Sequence, residues 1–107
     1  MALSGNIYIS NDTQIDVSGL QNAADSSYLN SATVTATLKD QSGTEVSGVS
    51  WPLTLSYEAA SNGNYSGTID KAVSVSDGVS YFLEITAAQG GIDAFWRIRM
   101  LAQYRPA

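Results

Sequence analysis

Ser31–Tyr57 reads SATVTATLKDQSGTEVSGVSWPLTLSY, and its alternation decides the fold class. Val34, Ala36 and Leu38 fall on one side of a period-two pattern, and Thr33, Thr35 and Thr37 fall on the other. That spacing makes a strand with one buried face and one wet face. Asp40-Gln41-Ser42-Gly43 then supplies turn chemistry, because Asp accepts hydrogen bonds from nearby amides and Gly tolerates positive φ. Leu53, Leu55 and Tyr57 restart the alternation, with Thr54 and Ser56 facing away. Two half-buried strands around a polar turn predict an antiparallel pair. Between them Val46 and Val49 bracket Gly48, where a bend or bulge is expected. Pro52 cannot donate to a ladder and belongs at an edge or a bulge.

The flanking sequence repeats the theme. Ile7 and Ile9 around Tyr8 predict a short first strand, Asn11-Asp12 a turn, and Ile15 and Val17 a second strand ending at Ser18-Gly19. Leu20–Asn30 has no firm period, and Tyr28-Leu29 is expected to tuck that loop against the core. Ser61-Asn62-Gly63 predicts a hairpin turn leading to Tyr65, Gly67 and Ile69. Val73 and Val75 make another run, closed by Asp77-Gly78. Val79, Tyr81, Leu83, Ile85 and Ala87 then alternate with Ser80, Phe82, Glu84 and Thr86, and Gln89-Gly90-Gly91 turns into a last run, Ile92–Tyr104. Seven or eight short strands with frequent turn signals and no helix predict an all-β antiparallel sandwich, with a small closed barrel as the alternative. Val75 stands six residues and Gly78 three residues before Tyr81, the layout of a tyrosine corner, which favours the sandwich.

The 107 residues fit one domain, 1–107, large enough to bury a core. No cysteine is present, which excludes disulfides and thiol chemistry, and no histidine, which removes the commonest general base and metal ligand. Only 14% of residues are charged, and the net charge of −5 disfavours nucleic acid and anionic membrane. MALSGNIYIS has no basic region followed by an apolar one, so it does not read as a secretory leader. With Met1 as the native start, the domain is expected to be made in the cytoplasm.

Candidate chemistry is sparse. No serine has a possible His partner, and G-x-S-x-G and the phosphate-binding glycine motifs are missing. Asp12/Asp16, Asp40/Glu45 and Asp70/Asp77 are the carboxylate pairs that loops could bring together, but acids in turns are expected to be solvated caps. Calcium at Asp40/Glu45 lacks the loop spacing such sites use. Trp51, Trp96 and the tyrosines could stack on sugars, although Trp51 and Trp96 suit core positions better. The chain is therefore expected to be no enzyme and to need no cofactor or metal.

The last run stands apart. Ala94, Trp96, Ile98, Met100, Ala102 and Tyr104 take one parity; Phe95, Arg97, Arg99, Leu101 and Gln103 take the other. Residues 1–96 hold all ten acids against two lysines, whereas the last eleven residues hold Arg97, Arg99 and Arg105 and no acid. A Phe/Arg/Arg/Leu stripe on an acidic body has the composition of a protein contact surface. Phe95, Arg97, Arg99, Leu101 and Arg105 are accordingly the expected interface residues, and head-to-tail pairing with copies of the same chain is one outcome. The plainer reading is an amphipathic edge strand with solvated arginines.

Several segments carry a resemblance. Tyr28-Leu29-Asn30, Ala32–Leu38, Asp40, Gly43, Val46 and Gly48, then Trp51–Leu55 and Gly63–Thr68, resemble small immunoglobulin-like proteins encoded among the virion structural genes of tailed bacteriophages and prophages. The likeness covers most of residues 15–104 and leaves 1–14 outside. It implies an immunoglobulin-like β-sandwich of seven or eight strands, no catalytic residues, and a virion location after synthesis in the host cytoplasm. It implies a capsid decoration or head–tail neck component whose partners are other virion proteins (capsid, portal, neck or tail) and copies of itself. A glycan-binding module on a tail or fibre is the alternative function.

Overall fold

The computed structural model describes residues 4–22 and 24–105. Seven strands carry the fold: β1 (Ser4–Tyr8), β2 (Thr13–Val17), β3 (Thr33–Lys39), β4 (Leu53–Tyr57), β5 (Tyr65–Ile69), β6 (Ser80–Gln89) and β7 (Ile92–Gln103). No helix occurs among the described residues. Hydrogen bonding links them in the order β1-β7-β6-β3-β4-β5-β2. Every neighbouring pair is antiparallel except β1–β7, which is parallel, so the sheet is mixed and not antiparallel throughout as expected. β4 changes partner along its length: Leu53–Leu55 pair with β3, while Ser56 and Tyr57 pair with β5. The two ends of the series, β1 and β2, are joined by the short segment Ile9–Asp12. The sheet thereby curls into a nearly closed, barrel-like shape around one core.

The central pair forms as its alternation predicts, with Val34 opposite Leu55 and Ala36 opposite Leu53. Val34, Ala36 and Leu38 are buried and the intervening threonines are not. The polar turn closes locally. Asp40 N–H donates to Thr44 O at 2.8 Å, Val46 N–H donates to Leu38 O at 3.0 Å, and the Asp40 carboxylate accepts from Ser42 and Thr44. Ile7, Ile15, Leu55, Ile69, Leu83 and Ile85 complete the inner layer. Each side chain of that size, fully buried, contributes ~1.5–3 kcal/mol.

β6 and β7 form the longest ladder, from Ser80↔Leu101 to Gln89↔Ile92. Gly90 and Gly91, at φ 59° and 83°, make its two-residue turn, a conformation requiring positive φ at both positions. The tyrosine corner is present: Tyr81 is buried and its phenol oxygen accepts from Ser76 N–H at 2.9 Å. A second pin has no motif to announce it. Tyr65, 1% exposed, donates to Leu29 O at 2.6 Å and accepts from Ala32 N–H at 2.9 Å, tying β5 to the approach to β3.

Several expectations are corrected. Val73 and Val75 form no strand; Ser74 N–H donates to Ser47 O at 2.9 Å, so this stretch zips against the loop after the Asp40 turn and buries Val73 there. Among the described residues the strands number seven, the lower of the two counts expected. Gly48 lies in that loop at φ 96° and not on a bulged strand, and Trp51-Pro52, with a cis peptide, precedes β4. Tyr57 keeps the parity of Leu55 but, at the end of β4, stays 36% exposed; it lies opposite Tyr65, and the two rings tilt together with centroids 5.5 Å apart. Leu29 docks on the core as expected, whereas Tyr28 stays exposed. Ile9 and Tyr104 fall just beyond strand ends, and Tyr104 is 66% exposed.

Candidate interface on the last strand

The parity assigned to β7 from sequence is the parity observed. Met100 and Ala102 are buried, Ala94, Trp96 and Ile98 are half-buried against the core, and Phe95, Arg97, Arg99 and Leu101 are exposed. The β6 ladder fixes this, since Leu83 opposite Ile98 and Ile85 opposite Trp96 face inward. Phe95 and Leu101 are 59% and 38% exposed, large apolar surfaces left on one row.

The arginines are held, not free-swinging. Arg97 lies opposite Glu84, its Nε 3.7 Å from Oε2, and its guanidinium sits 4.0 Å from the centre of the Phe82 ring. Lys39, reaching across from β3, places Nζ 2.8 Å from Oε1 of the same Glu84. One carboxylate therefore serves two cations, and the patch keeps a positive surplus. Arg99 Nε donates to Ser80 Oγ at 3.3 Å and has no carboxylate partner among the described residues. Stacking on Phe82 and the shared Glu84 reduce the side-chain entropy lost on contact. Arg105 lies apart from the other four, beyond the end of β7, with Nη1 3.5 Å from Asn11 Oδ1.

Shallow open grooves flank this row. One runs over Thr33, Thr35, Thr86 and Asp93 to Phe95, and another over Gln41, Ser80, Phe82 and Arg99. Thr35 and Thr86 share a hydrogen bond at 2.9 Å across β3 and β6. The Lys39–Glu84–Arg97 triplet escapes sequence reading because it depends on the register of three strands.

Asp12, Asp25, Asp40 and Asp70 behave as caps, whereas Asp16, expected in a turn, lies on β2. Asp12 accepts from Lys71 N–H at 2.8 Å, Asp70 from Ala72 N–H at 2.9 Å, and Asp25 from the backbone and hydroxyl of Ser27. Hydrogen bonds from the Ser42 hydroxyl, then from Thr44 N–H, hold the Asp40 carboxyl below its ordinary 3.8. The Ser27 amide and hydroxyl do the same for Asp25. No group of three acids that could hold a metal occurs among the described residues. Trp51 packs on the core, with Nε1 donating to Val46 O at 2.6 Å, which places it with Trp96 in structural positions. No described helix is long and apolar enough to cross a membrane. No protein family matches the chain, and no curated protein or solved structure was found to be similar to it.

Proposed function

We propose that this chain is a structural component of a tailed-bacteriophage virion, a head decoration or a part of the head–tail neck. It acts by packing against other virion proteins and against copies of itself. The fold is read more finely as an immunoglobulin-like sandwich, with β1, β7, β6 and β3 in one layer, β5 and β2 in the other, and β4 shared. The partner change along β4 and the Tyr81 phenol bonded to Ser76 support that reading.

The observation that carries the function is the outer row of β7. Phe95 and Leu101 stay exposed around two guanidiniums that are held in place on a ladder of rigid strands. Apolar side chains and Arg on a flat, ordered surface suit a contact whose energy comes from desolvation at a few anchors. Resemblance to virion immunoglobulin-like proteins supplies the setting.

Mass spectrometry of purified particles tests the setting, and Arg99→Glu with Leu101→Ser tests the surface. These two exposed side chains lie beside β1, and neither is paired with Glu84. The double variant is expected to melt within about 1 kcal/mol of wild type and to be depleted from particles. Absence of the chain from particles, or wild-type incorporation of the double variant, would refute the proposal. Arg97→Glu combined with Arg99→Glu also disrupts assembly on this reading. It sets a second carboxylate opposite Glu84, however, so some loss of stability accompanies it.

A further inference from the structure

β7 outruns its neighbour. β1 covers only Arg99–Gln103, and among the described residues Ile92–Ile98 has β6 on one side and no strand on the other. At the far end of the series β2 has β5 on one side and, among the described residues, no strand on the other. We infer that these two open edges are partners: β2 of one copy inserts antiparallel beside Ala94–Ile98 of the next, continuing the sheet from chain to chain. This rests on the reading of β7 as a contact surface and specifies what occupies it.

Backbone direction supports the match. Along a strand, backbone groups turn alternately to the two edges. Ala102 bonds toward β6, donating to Val79 O at 3.0 Å, whereas Gln103 O accepts from Ile9 N–H at 2.9 Å on the β1 side. Odd residues of β7 thus face the open edge, and above the notch these are Phe95 and Arg97. On β5, Asn64 O accepts from Glu58 N–H at 2.8 Å, so Tyr65, Gly67 and Ile69 turn toward β2. They engage Val17, Ile15 and Thr13, leaving Gln14 and Asp16 to face outward from the edge. At both edges the residues with free backbone groups are also those with solvent-facing side chains. Antiparallel joining keeps outer face with outer face; parallel joining would set outer residues against inner ones, so the edges fit in one sense only.

Length and charge agree. β2 has five residues, and fitting them beside Ala94–Ile98 without displacing β1 sets Asp16 opposite Phe95 and Gln14 opposite Arg97. Asp16 then lies diagonal to Arg97, within reach of a long side chain. Asp16 has no cationic partner within its own chain among the described residues, while Arg97 shares Glu84 with Lys39. On the inner side Ile15 falls opposite Trp96, a half-buried ring that the added strand would cover. The contact is heterologous, so each dimer keeps one open edge of each kind and the series ends in a ring or a filament.

Proline substitution separates the two edges, because Pro is tolerated where the lost N–H faces outward. Gln14→Pro removes a donor from the β2 edge and Phe95→Pro one from the β7 edge; neither amide serves the chain's own ladder. By light scattering, wild type is expected to grow in mass with concentration and each variant to stay monomeric. An equimolar mixture is expected to give a dimer and nothing larger, since each variant retains the edge the other lacks. Asp16→Arg, which leaves the backbone intact, is expected to weaken assembly, and Arg97→Asp in the same chain to restore it. The inference falls if wild type is monomeric throughout, if either proline variant assembles as wild type does, or if the mixture stays monomeric with both variants folded by circular dichroism. Should Arg99→Glu/Leu101→Ser leave particles while both proline variants enter them normally, the outer face is the contact and the edge is not.

Discussion

Tyr65→Phe removes one oxygen and orphans two backbone groups. The phenol of Tyr65 donates to Leu29 O and accepts from Ala32 N–H, at 2.6 and 2.9 Å, inside a site where the side chain is 1% exposed. Phenylalanine fills the same space, so the loss is almost wholly polar. Leu29 is buried and its carbonyl then has no partner on that side, a penalty of about 1–3 kcal/mol. Ala32 is only half-buried, so water recovers part of its bond and about 1 kcal/mol is lost there. The expected cost is about 2–4 kcal/mol, a fall in Tm of roughly 8–16 °C for a domain this size. Tyr81→Phe removes a single bond to Ser76, an exposed residue that water can serve, and should cost about 1 kcal/mol. Urea unfolding of both variants, with unchanged m, measures the difference. If Tyr65→Phe proves no more damaging than Tyr81→Phe, the account of Tyr65 as the main polar pin is wrong.

Gly48→Ala places a Cβ against the Ala72 carbonyl at φ 96°, so a loss of at least ~2 kcal/mol is expected by thermal melting. Glu84→Gln removes the shared partner of Lys39 and Arg97; because all three side chains are partly exposed, the cost in urea should stay within about 1 kcal/mol and shrink in high salt. Asp40 titrates below its ordinary value in the folded chain, so the ionised carboxylate stabilises above the unfolded value and that contribution disappears as pH falls through the folded one. The stability gap between wild type and Asp40→Asn should therefore be open at neutral pH and close in acid; a gap that widens in acid would reverse the sign argued here.

How far the sequence can be read follows from what each signal depends on. Val34, Ala36 and Leu38 announce their face because alternation is a property of one strand. So do Phe95, Arg97, Arg99 and Leu101 on β7. Val73 and Val75 alternate equally well, yet Ser74 finds Ser47 as its hydrogen-bond partner and the segment stays a loop. Nothing local distinguishes the two cases, since a run becomes a strand only if a neighbour offers it a ladder. Tyr57 keeps its parity but not its burial, because it ends β4 where the strand has passed from β3 to β5 and only Tyr65 lies opposite it. Tyr65 carries no motif because its partners, Leu29 and Ala32, lie more than thirty residues upstream. Ser80, polar yet buried, is likewise explained only by Arg99 and Gln41 meeting it in space.

The two surfaces proposed for β7 have one origin in the relative lengths of its neighbours. β7 has 12 residues and β6 has 10, joined by a tight glycine turn, whereas β1 has five. A β1 as long as β7 would have closed the edge beside Phe95 and deepened the cover over Trp96. A β7 as short as β1 would have carried neither Phe95 nor Arg97. Among the described residues the mismatch leaves an apolar-flanked edge, which is an aggregation hazard when unmanaged. Here the hazard is managed by charge: Asp93, Arg97 and Arg99 are spaced along the outer row, so an uncharged or basic strand gains little by docking. A short acidic strand with matching parity gains hydrogen bonds and an ion pair together. On the proposed pairing, the same features that suppress indiscriminate association select one partner, β2 of another copy, which matches this edge in length, parity and charge.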